Sequence, residues 1–242
     1  MSLFVLSDLH LSLGIDKPMD VFGFVWQDYM KKILQNWTKT VTSDDLVIIG
    51  GDLSWATYLE EAKKDFEFLN SLPGKKLVIK GNHDYWWESV TKLKKFTEAN
   101  FFDSIEFLHN TCFNYEDALI SGTRFWLMPG TDGFSADDQK IYDREISRLC
   151  LSLDGAAAIE KKNPKIAFKK VVCLHYPPVS PKGDVDENVI SVLKKHNVKK
   201  CLYGHLHAGG IKNAFCGVKD GIEFSLTSAD YLNFKPLKLE LK

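Results

Sequence analysis

Short apolar runs that stop abruptly at polar residues set the rhythm of this chain. Leu3-Phe4-Val5-Leu6 ends at Ser7-Asp8, Leu46-Val47-Ile48-Ile49 at Gly50-Gly51-Asp52, and Leu77-Val78-Ile79 at Lys80-Gly81-Asn82. Later, Val171-Val172-Cys173-Leu174 ends at His175, and Lys200-Cys201-Leu202-Tyr203 at Gly204-His205. Each run has the length of a strand and is rich in branched residues, as expected of strands covered on both faces. Helical patterns lie between them: Trp26, Tyr29, Met30, Ile33, Leu34 and Trp37 share one face, and Leu59, Ala62, Phe66 and Leu69 share another. The alternation predicts βαβ units. After Met128-Pro129-Gly130 the rhythm changes. Ser135 with Asp138 forms a capping-box pattern, and Tyr142, Ile146, Leu149 and Leu153 continue at helical spacing until Asn163-Pro164. Residues 129–165 are therefore expected as a cap segment near the mouth of any site. Phe224 and Leu226, then Leu237, Leu239 and Leu241, alternate as half-buried strands do. With no internal repeat, low-complexity tract or linker, residues 1–242 read as one α/β domain.

All five strand-like runs end in potential metal ligands. In an open α/β sheet, ligands bind beyond the carboxyl ends of the strands. Asp8 and His10, two residues apart, point to the same side of an extended segment, and His205 and His207 repeat that geometry. Asp52, Asn82 and His205 each follow a glycine, which permits the close backbone approach a crowded ion site needs. Asp8, His10, Asp52, Asn82, His175, His205 and His207 make seven candidates, too many for one four- to six-coordinate ion. Two divalent ions sharing a carboxylate resolve the excess. A pair about 3.5–4 Å apart suits in-line displacement at phosphorus by a hydroxide formed near neutral pH. Mixed nitrogen and oxygen ligands without thiolate exclude copper(I) and iron–sulfur chemistry and leave Mn²⁺, Fe, Zn²⁺, Co²⁺ or Ni²⁺.

Composition narrows the partners. A hydrophobic content of 45% over 242 residues excludes a disordered chain. The 31 basic and 32 acidic side chains leave a net charge of -1, which argues against coating long nucleic acid or an anionic membrane. No apolar run approaches the ~18 residues of a membrane span. Met1 leads into Ser2-Leu3-Phe4-Val5-Leu6 and Asp8 without a basic segment or a cleavage site, so a cytoplasmic location is expected. Five widely spaced cysteines without a CxxC pair agree with a reducing compartment, and Cys173 and Cys201 read as core. The expected partner is a small phosphorylated substrate, drawn by bound cations that add about four positive charges where formal charge shows none.

In this order, Asp8-x-His10, Gly51-Asp52, Gly81-Asn82-His83-Asp84, His175 and Gly204-His205-x-His207 resemble the motifs of the calcineurin-like metallophosphoesterases. The resemblance spans residues 8 to 207. It implies that Asp8, His10, Asp52 and His207 hold one ion and Asp52, Asn82, His175 and His205 the other, with Asp52 bridging. It further implies that His83 contacts substrate phosphate and protonates the leaving oxygen, and that Asp84 orients it. The implied fold is a two-sheet sandwich flanked by helices on both sides, a four-layer α/β/β/α arrangement. The chain departs from the family in two ways. Trp55 stands where an acidic or amide residue often follows the bridging aspartate. The Arg-Gly and Glu of the protein Ser/Thr phosphatases are also absent, so the chain looks more like the bacterial phosphodiesterase and nuclease branches.

His109 and His196 lie outside every motif and read as structural. Asp84 and Glu88 also suit the start of a helix. Trp55, Tyr85, Trp86 and Trp87 read as packing around the motif loops rather than as stacking platforms for bases. The expected function is hydrolysis of phosphomonoesters or phosphodiesters by a metal-bridging hydroxide, with His83 as general acid and Mn²⁺ or Fe as the favoured ions. The rivals are a non-catalytic metal-binding scaffold of the same fold, which would be expected to lose motif histidines, and a nuclease or cyclic nucleotide phosphodiesterase. A nuclease would be expected to carry a basic stripe, and only three arginines, Arg124, Arg144 and Arg148, are present.

Overall fold

The computed structural model describes residues 1–241. In chain order, β1 (Leu3–Leu6), α1 (Tyr29–Thr40), β2 (Leu46–Ile49), α2 (Lys63–Ser71), β3 (Lys75–Val78), α3 (Val90–Ala99) and β4 (Ile105–Phe107) form the first half. The second half comprises β5 (Phe113–Tyr115), β6 (Ala118–Thr123), α4 (Ala136–Lys162), β7 (Lys169–Leu174), α5 (Glu187–Lys195), β8 (Lys200–Tyr203), β9 (Gly217–Lys219), β10 (Ile222–Leu226) and β11 (Leu237–Lys238). One sheet has the order β11-β1-β2-β3-β4 and the other β5-β6-β7-β8-β10-β9. Their centres are parallel, and the edge strands β11, β5 and β9 pair antiparallel.

Alternation within each strand divides its side chains between two cores. Leu3, Val5, Leu46, Ile48 and Leu77 meet Ile120, Val171, Cys173 and Leu202 between the sheets. Phe4, Leu6, Val47, Ile49 and Val78 face outward against Ile33 and Trp37 of α1, Phe66 and Leu69 of α2, and Leu93 of α3. On the other side, Val172, Leu174, Cys201 and Tyr203 pack on Tyr142, Leu149 and Leu153 of α4 and Val189 and Leu193 of α5. The result is the expected α/β/β/α sandwich. Both faces of both sheets are covered, so the strands read as unbroken apolar runs.

The helical reading holds with shifted starts. Trp26 belongs to a 3-10 turn, Phe24–Trp26, because Gln27 is extended and Asp28 left-handed (φ 55°) before α1 begins. The capping box forms as expected: the Ser135 hydroxyl accepts from the Asp138 amide, and Asp138 accepts from the Ser135 amide. In the segment 129–165, most residues belong to α4, which lies along the outer face of β6. The Ser152 Oγ accepts from the Gly122 amide at 3.0 Å, and Ser121 donates to the Ser152 carbonyl at 3.1 Å. Within that segment, Pro129, Gly130, Thr131 and Tyr142 line one cavity and Arg144, Glu145 and Arg148 another.

Lys76 of β3 is fully buried, and its Nζ donates only to the Leu72 carbonyl and the Ser104 Oγ. Burial lowers its pKa from the usual 10.5 to about 8. The unfolded chain therefore binds more protons than the folded one between about pH 8 and 10.5, and this residue's contribution to stability rises with pH through that window. Denaturation of the wild type and Lys76→Met side by side is expected to show wild type gaining on the variant from pH 8 to 10. Parallel curves would remove the buried-ammonium explanation.

Candidate metal centre

The loops after β1, β2, β3, β7 and β8 converge through hydrogen bonds donated by their backbone amides. The Asp8 amide donates to the Gly51 carbonyl (2.9 Å) and the His10 amide to the Asp52 carbonyl (3.0 Å). The His83 amide donates to Asp52 Oδ1 at 2.8 Å, and the His205 amide to the Asp8 carboxylate at 3.0 and 3.1 Å. Asp8, His10, Asp52 and His205 all occupy the left-handed region, with φ of 56°, 47°, 52° and 68°. Such backbone costs on the order of 1 kcal/mol for each non-glycine residue and persists where the surroundings fix it, characteristically at functional sites. Gly81 is required by proximity: a Cβ there would overlap the Asp52 carboxylate and amide.

Two groups of donors result, and Asp52 belongs to both. Ligand atoms of Asp8, His10 and Asp52 lie within 4.8 Å of one another, all buried. The His207 ring stands beside His10, centroids 5.1 Å apart. On the other side, Asp52 Oδ2 is 3.4 Å from His175 Nε2, and Asn82 Oδ1 lies 2.7 Å from His175 Nε2 and 2.9 Å from His205 Nδ1. His175 Nδ1 meets the Gly50 carbonyl at 3.1 Å, which makes that nitrogen a donor and turns Nε2 toward the centre. All seven candidate ligands thus come together.

The electrostatics reflect crowding of unlike groups in a dry site. Burial lowers the pKa of His10 to about 3, and burial followed by the His175 charge lowers that of His205 to about 3. Burial also raises Asp8 to about 7. For Asp52, burial is outweighed by His175, which holds the carboxyl below its usual range. The same pairing acts on His175: burial opposes its charge, but Asp52 and Asp8 raise its pKa to about 9.

These residues fit divalent cations. His10 is fully buried, yet neither ring nitrogen has a hydrogen-bond partner, and His207 Nδ1 is also buried without one. Buried polar atoms left unpaired cost about 1–3 kcal/mol each, whereas imidazole nitrogens and carboxylates gathered together make a favourable donor set for a hard or borderline cation.

Asp84 acts differently from the expectation that it orients His83. Its fully buried carboxylate accepts from the amides of Gly81 (2.7 Å), Asp52 (2.9 Å), Leu53 (2.9 Å) and Ser54 (3.3 Å) and from the Trp86 indole (3.0 Å). Burial raises its pKa, with the Asp52 charge adding to the effect, while the amides oppose it. Five donors and no acceptor match the ionised form. Its oxygens are therefore spent on tying the Asp52 loop to the Asn82 loop. The helix cap that Asp84 or Glu88 was expected to supply falls to Ser89, which accepts from the Lys92 amide. His83 is half-buried between Trp55 (centroids 4.4 Å) and His10 (5.8 Å), and no hydrogen bond among the described residues engages its ring.

Trp55 stacks on His10 at 4.7 Å and Trp86 and Trp87 are buried, in line with the packing reading, whereas Tyr85 is exposed and departs from it. His196 follows α5 beside Asp154 at 3.6 Å, outside the site. All five cysteines are free, with Cys173 and Cys201 buried. Asp230 is a supporting residue the sequence did not flag: it accepts from the Ala208 amide (2.6 Å) and so holds the turn after His207. It lies 22 positions away with no motif around it, so no local signal marks it.

Parallel strands whose ends gather imidazoles and carboxylates around one shared aspartate define a metal-binding α/β sandwich. The chain belongs to the calcineurin-like phosphoesterase family, whose family model matches residues 1–209. Members of this family use a binuclear divalent metal centre, and Asp8, His10 and Asp52 form a candidate metal site here. Among solved structures, the chain is similar to a protein of unknown function, AQ665 from Aquifex aeolicus, at a TM-score of 0.51 and 17% identity, covering 98% of this chain and 95% of that one. It is likewise similar to TT1561 of Thermus thermophilus, with a TM-score of 0.54 and 13% identity over 99% and 98% of the two chains. At these identities the likeness concerns the fold. No curated protein matches the sequence. No helix of the described residues is long and apolar enough to cross a membrane.

Proposed function

We propose that this protein is a metal-dependent phosphoesterase hydrolysing phosphomonoester or phosphodiester bonds of a small substrate. Asp8, His10, Asp52 and His207 would hold one divalent ion and Asp52, Asn82, His175 and His205 the other, with Mn²⁺ or Fe favoured and Zn²⁺, Co²⁺ or Ni²⁺ compatible with the donors. The observation that carries this reading is the position of Asp52 within reach of His10 (3.8 Å) and His175 (3.4 Å) at once. When bound, such an ion pair supplies a water of lowered pKa and neutralises the phosphoryl oxygens. The chain's own residues do the rest. His83, with an unengaged ring, binds a phosphoryl oxygen and delivers a proton to the departing alkoxide. Asp84 keeps the two ligand loops at fixed spacing, and Trp55 walls one side of His10 and excludes water.

A cavity of about 730 Å³ opens beside His205 and is lined by Trp126, Leu127, Met128, Tyr176 and Leu206, with acids at Asp184, Asp186 and Glu187 and no lysine or arginine. It supports an uncharged, apolar organic group on the substrate, since an anionic one would meet only like charge. Met128→Asp is accordingly expected to raise KM for an aryl phosphodiester about tenfold with little change in kcat, the pattern of lost ground-state binding. Unchanged KM would move the organic group elsewhere.

The experiment for the function itself is an assay of stripped protein re-loaded with Mn²⁺, Fe²⁺ or Zn²⁺ against an aryl phosphomonoester, an aryl phosphodiester and a cyclic nucleotide. Metal-dependent turnover of at least one is expected. Absence of turnover with every pairing, in protein that binds metal, contradicts the catalytic reading and favours a scaffold.

A further inference from the structure

All three arginines of the chain, Arg124, Arg144 and Arg148, line one cavity of about 220 Å³. Lys80 and His109 lie in the same wall, and Glu145 is the one acid there. The cavity sits where the ends of β3, β4 and β6 meet α4, with Arg144 and Arg148 one helical turn apart.

Four cationic side chains thus face a single carboxylate, and that carboxylate is already occupied. Glu145 is fully buried; its Oε2 accepts from the Thr123 hydroxyl and its Oε1 from Arg148 at 2.6 Å. Arg124 reaches the same oxygen only at 3.8 Å. Its Nε is buried without a hydrogen-bond partner, and its guanidinium carbon lies 4.5 Å from the centre of the Trp126 ring. Arg144 makes no ion pair or hydrogen bond among the described residues, and Lys80 reaches only the Trp87 carbonyl at 3.4 Å. One arginine would suffice to neutralise Glu145. The surplus of three charges and the unpartnered Nε call for an anion, because cations gathered in a partly desolvated space repel one another unless one is present.

We propose that this cavity is a second anion site that takes a phosphate group, separate from the metal centre. Guanidinium forks match phosphate oxygens in pairs, and the volume is below the ~300–1,000 Å³ of larger ligand pockets, so one tetrahedral oxyanion is the scale of occupant. The site adjoins the metal centre without sharing a ligand: Lys80 leads into Gly81-Asn82, and the Arg124 carbonyl accepts from the amides of His175 (3.1 Å) and Tyr176 (3.0 Å). The inference stands on these donors and does not depend on hydrolysis. The phosphate has two sources, inorganic phosphate or a second phosphate on the substrate.

The test is calorimetric titration of the metal-loaded protein with inorganic phosphate, at constant ionic strength, in the wild type, Arg144→Gln and Glu145→Gln. Arg144 is exposed, so its replacement leaves the fold intact. Arg144→Gln is expected to weaken one class of phosphate binding about tenfold, and Glu145→Gln, which removes the competing acid, to strengthen it several-fold. The same class is expected to survive in Asp52→Asn; should that variant not fold, the phosphate-dependent rise in Tm of the wild type, reduced in Arg144→Gln, reports the same site. Kinetics then separate the sources. A tenfold rise in KM of Arg144→Gln for a doubly phosphorylated ester alone assigns the site to substrate, and unchanged KM with weakened phosphate binding assigns it to the free ion. Phosphate binding that neither Arg144→Gln nor Glu145→Gln alters overturns the proposal.

Discussion

Asp84→Asn is expected to lower folding stability by about 3 kcal/mol or more and metal affinity by about 100-fold. The reason is the geometry of its five donors. Leu53, Ser54 and Trp86 point at Oδ1, while Asp52 and Gly81 point at Oδ2. An asparagine amide has one acceptor oxygen, so whichever way it turns, at least two N–H groups face an NH₂. Hydrogen bonds to a charged group are worth about 1.5–3 kcal/mol each, and here the lost partners stay buried. The loops carrying Asp52 and Asn82 would separate, and ligands of both donor groups ride on them. Chemical denaturation and metal titration of the variant check the two halves of this expectation. Wild-type stability in Asp84→Asn would mean that water or another acceptor replaces the carboxylate.

His83→Gln separates chemistry from architecture. Its backbone amide, which holds Asp52 Oδ1 at 2.8 Å, is kept, and its ring has no hydrogen bond to lose. Stability is expected within about 1 kcal/mol of wild type, since the half-buried ring gives up its contact with Trp55 but no hydrogen bond. Turnover is expected to fall by about 10²–10⁴, the range for a positioned general acid, with metal content unchanged. The loss should be smaller for an ester whose leaving group needs no proton, such as a nitrophenolate, than for an alkyl ester. Equal losses on both would assign His83 to binding phosphate rather than to proton delivery.

The central parallel strands and their terminal residues were legible in the sequence because burial on both faces gives unbroken apolar runs and the site lies at their ends. β6 was not read as a strand: Ala118-Leu119-Ile120-Ser121-Gly122-Thr123 is interrupted by small and polar residues, which let α4 approach through Ser152. The role of Asp84 was misread because sequence adjacency to His83 pointed to the ring, whereas three of its five donors are amides about thirty positions earlier. The convergence of the arginines was hidden for the same reason. Arg124 follows a strand and Arg144 and Arg148 lie on a helix, so their separation along the chain conceals that α4 lies over the end of β6.

The claim on which the rest depends is that Asp52 joins two cation sites. Equilibrium dialysis of the wild type and Asp52→Asn against Mn²⁺, followed by elemental analysis, tests it most directly. The account expects two ions per chain in the wild type at saturation and loss of affinity at both sites together in Asp52→Asn. A single ion per saturated wild-type chain, or an Asp52→Asn variant that retains two with unchanged affinity, contradicts it.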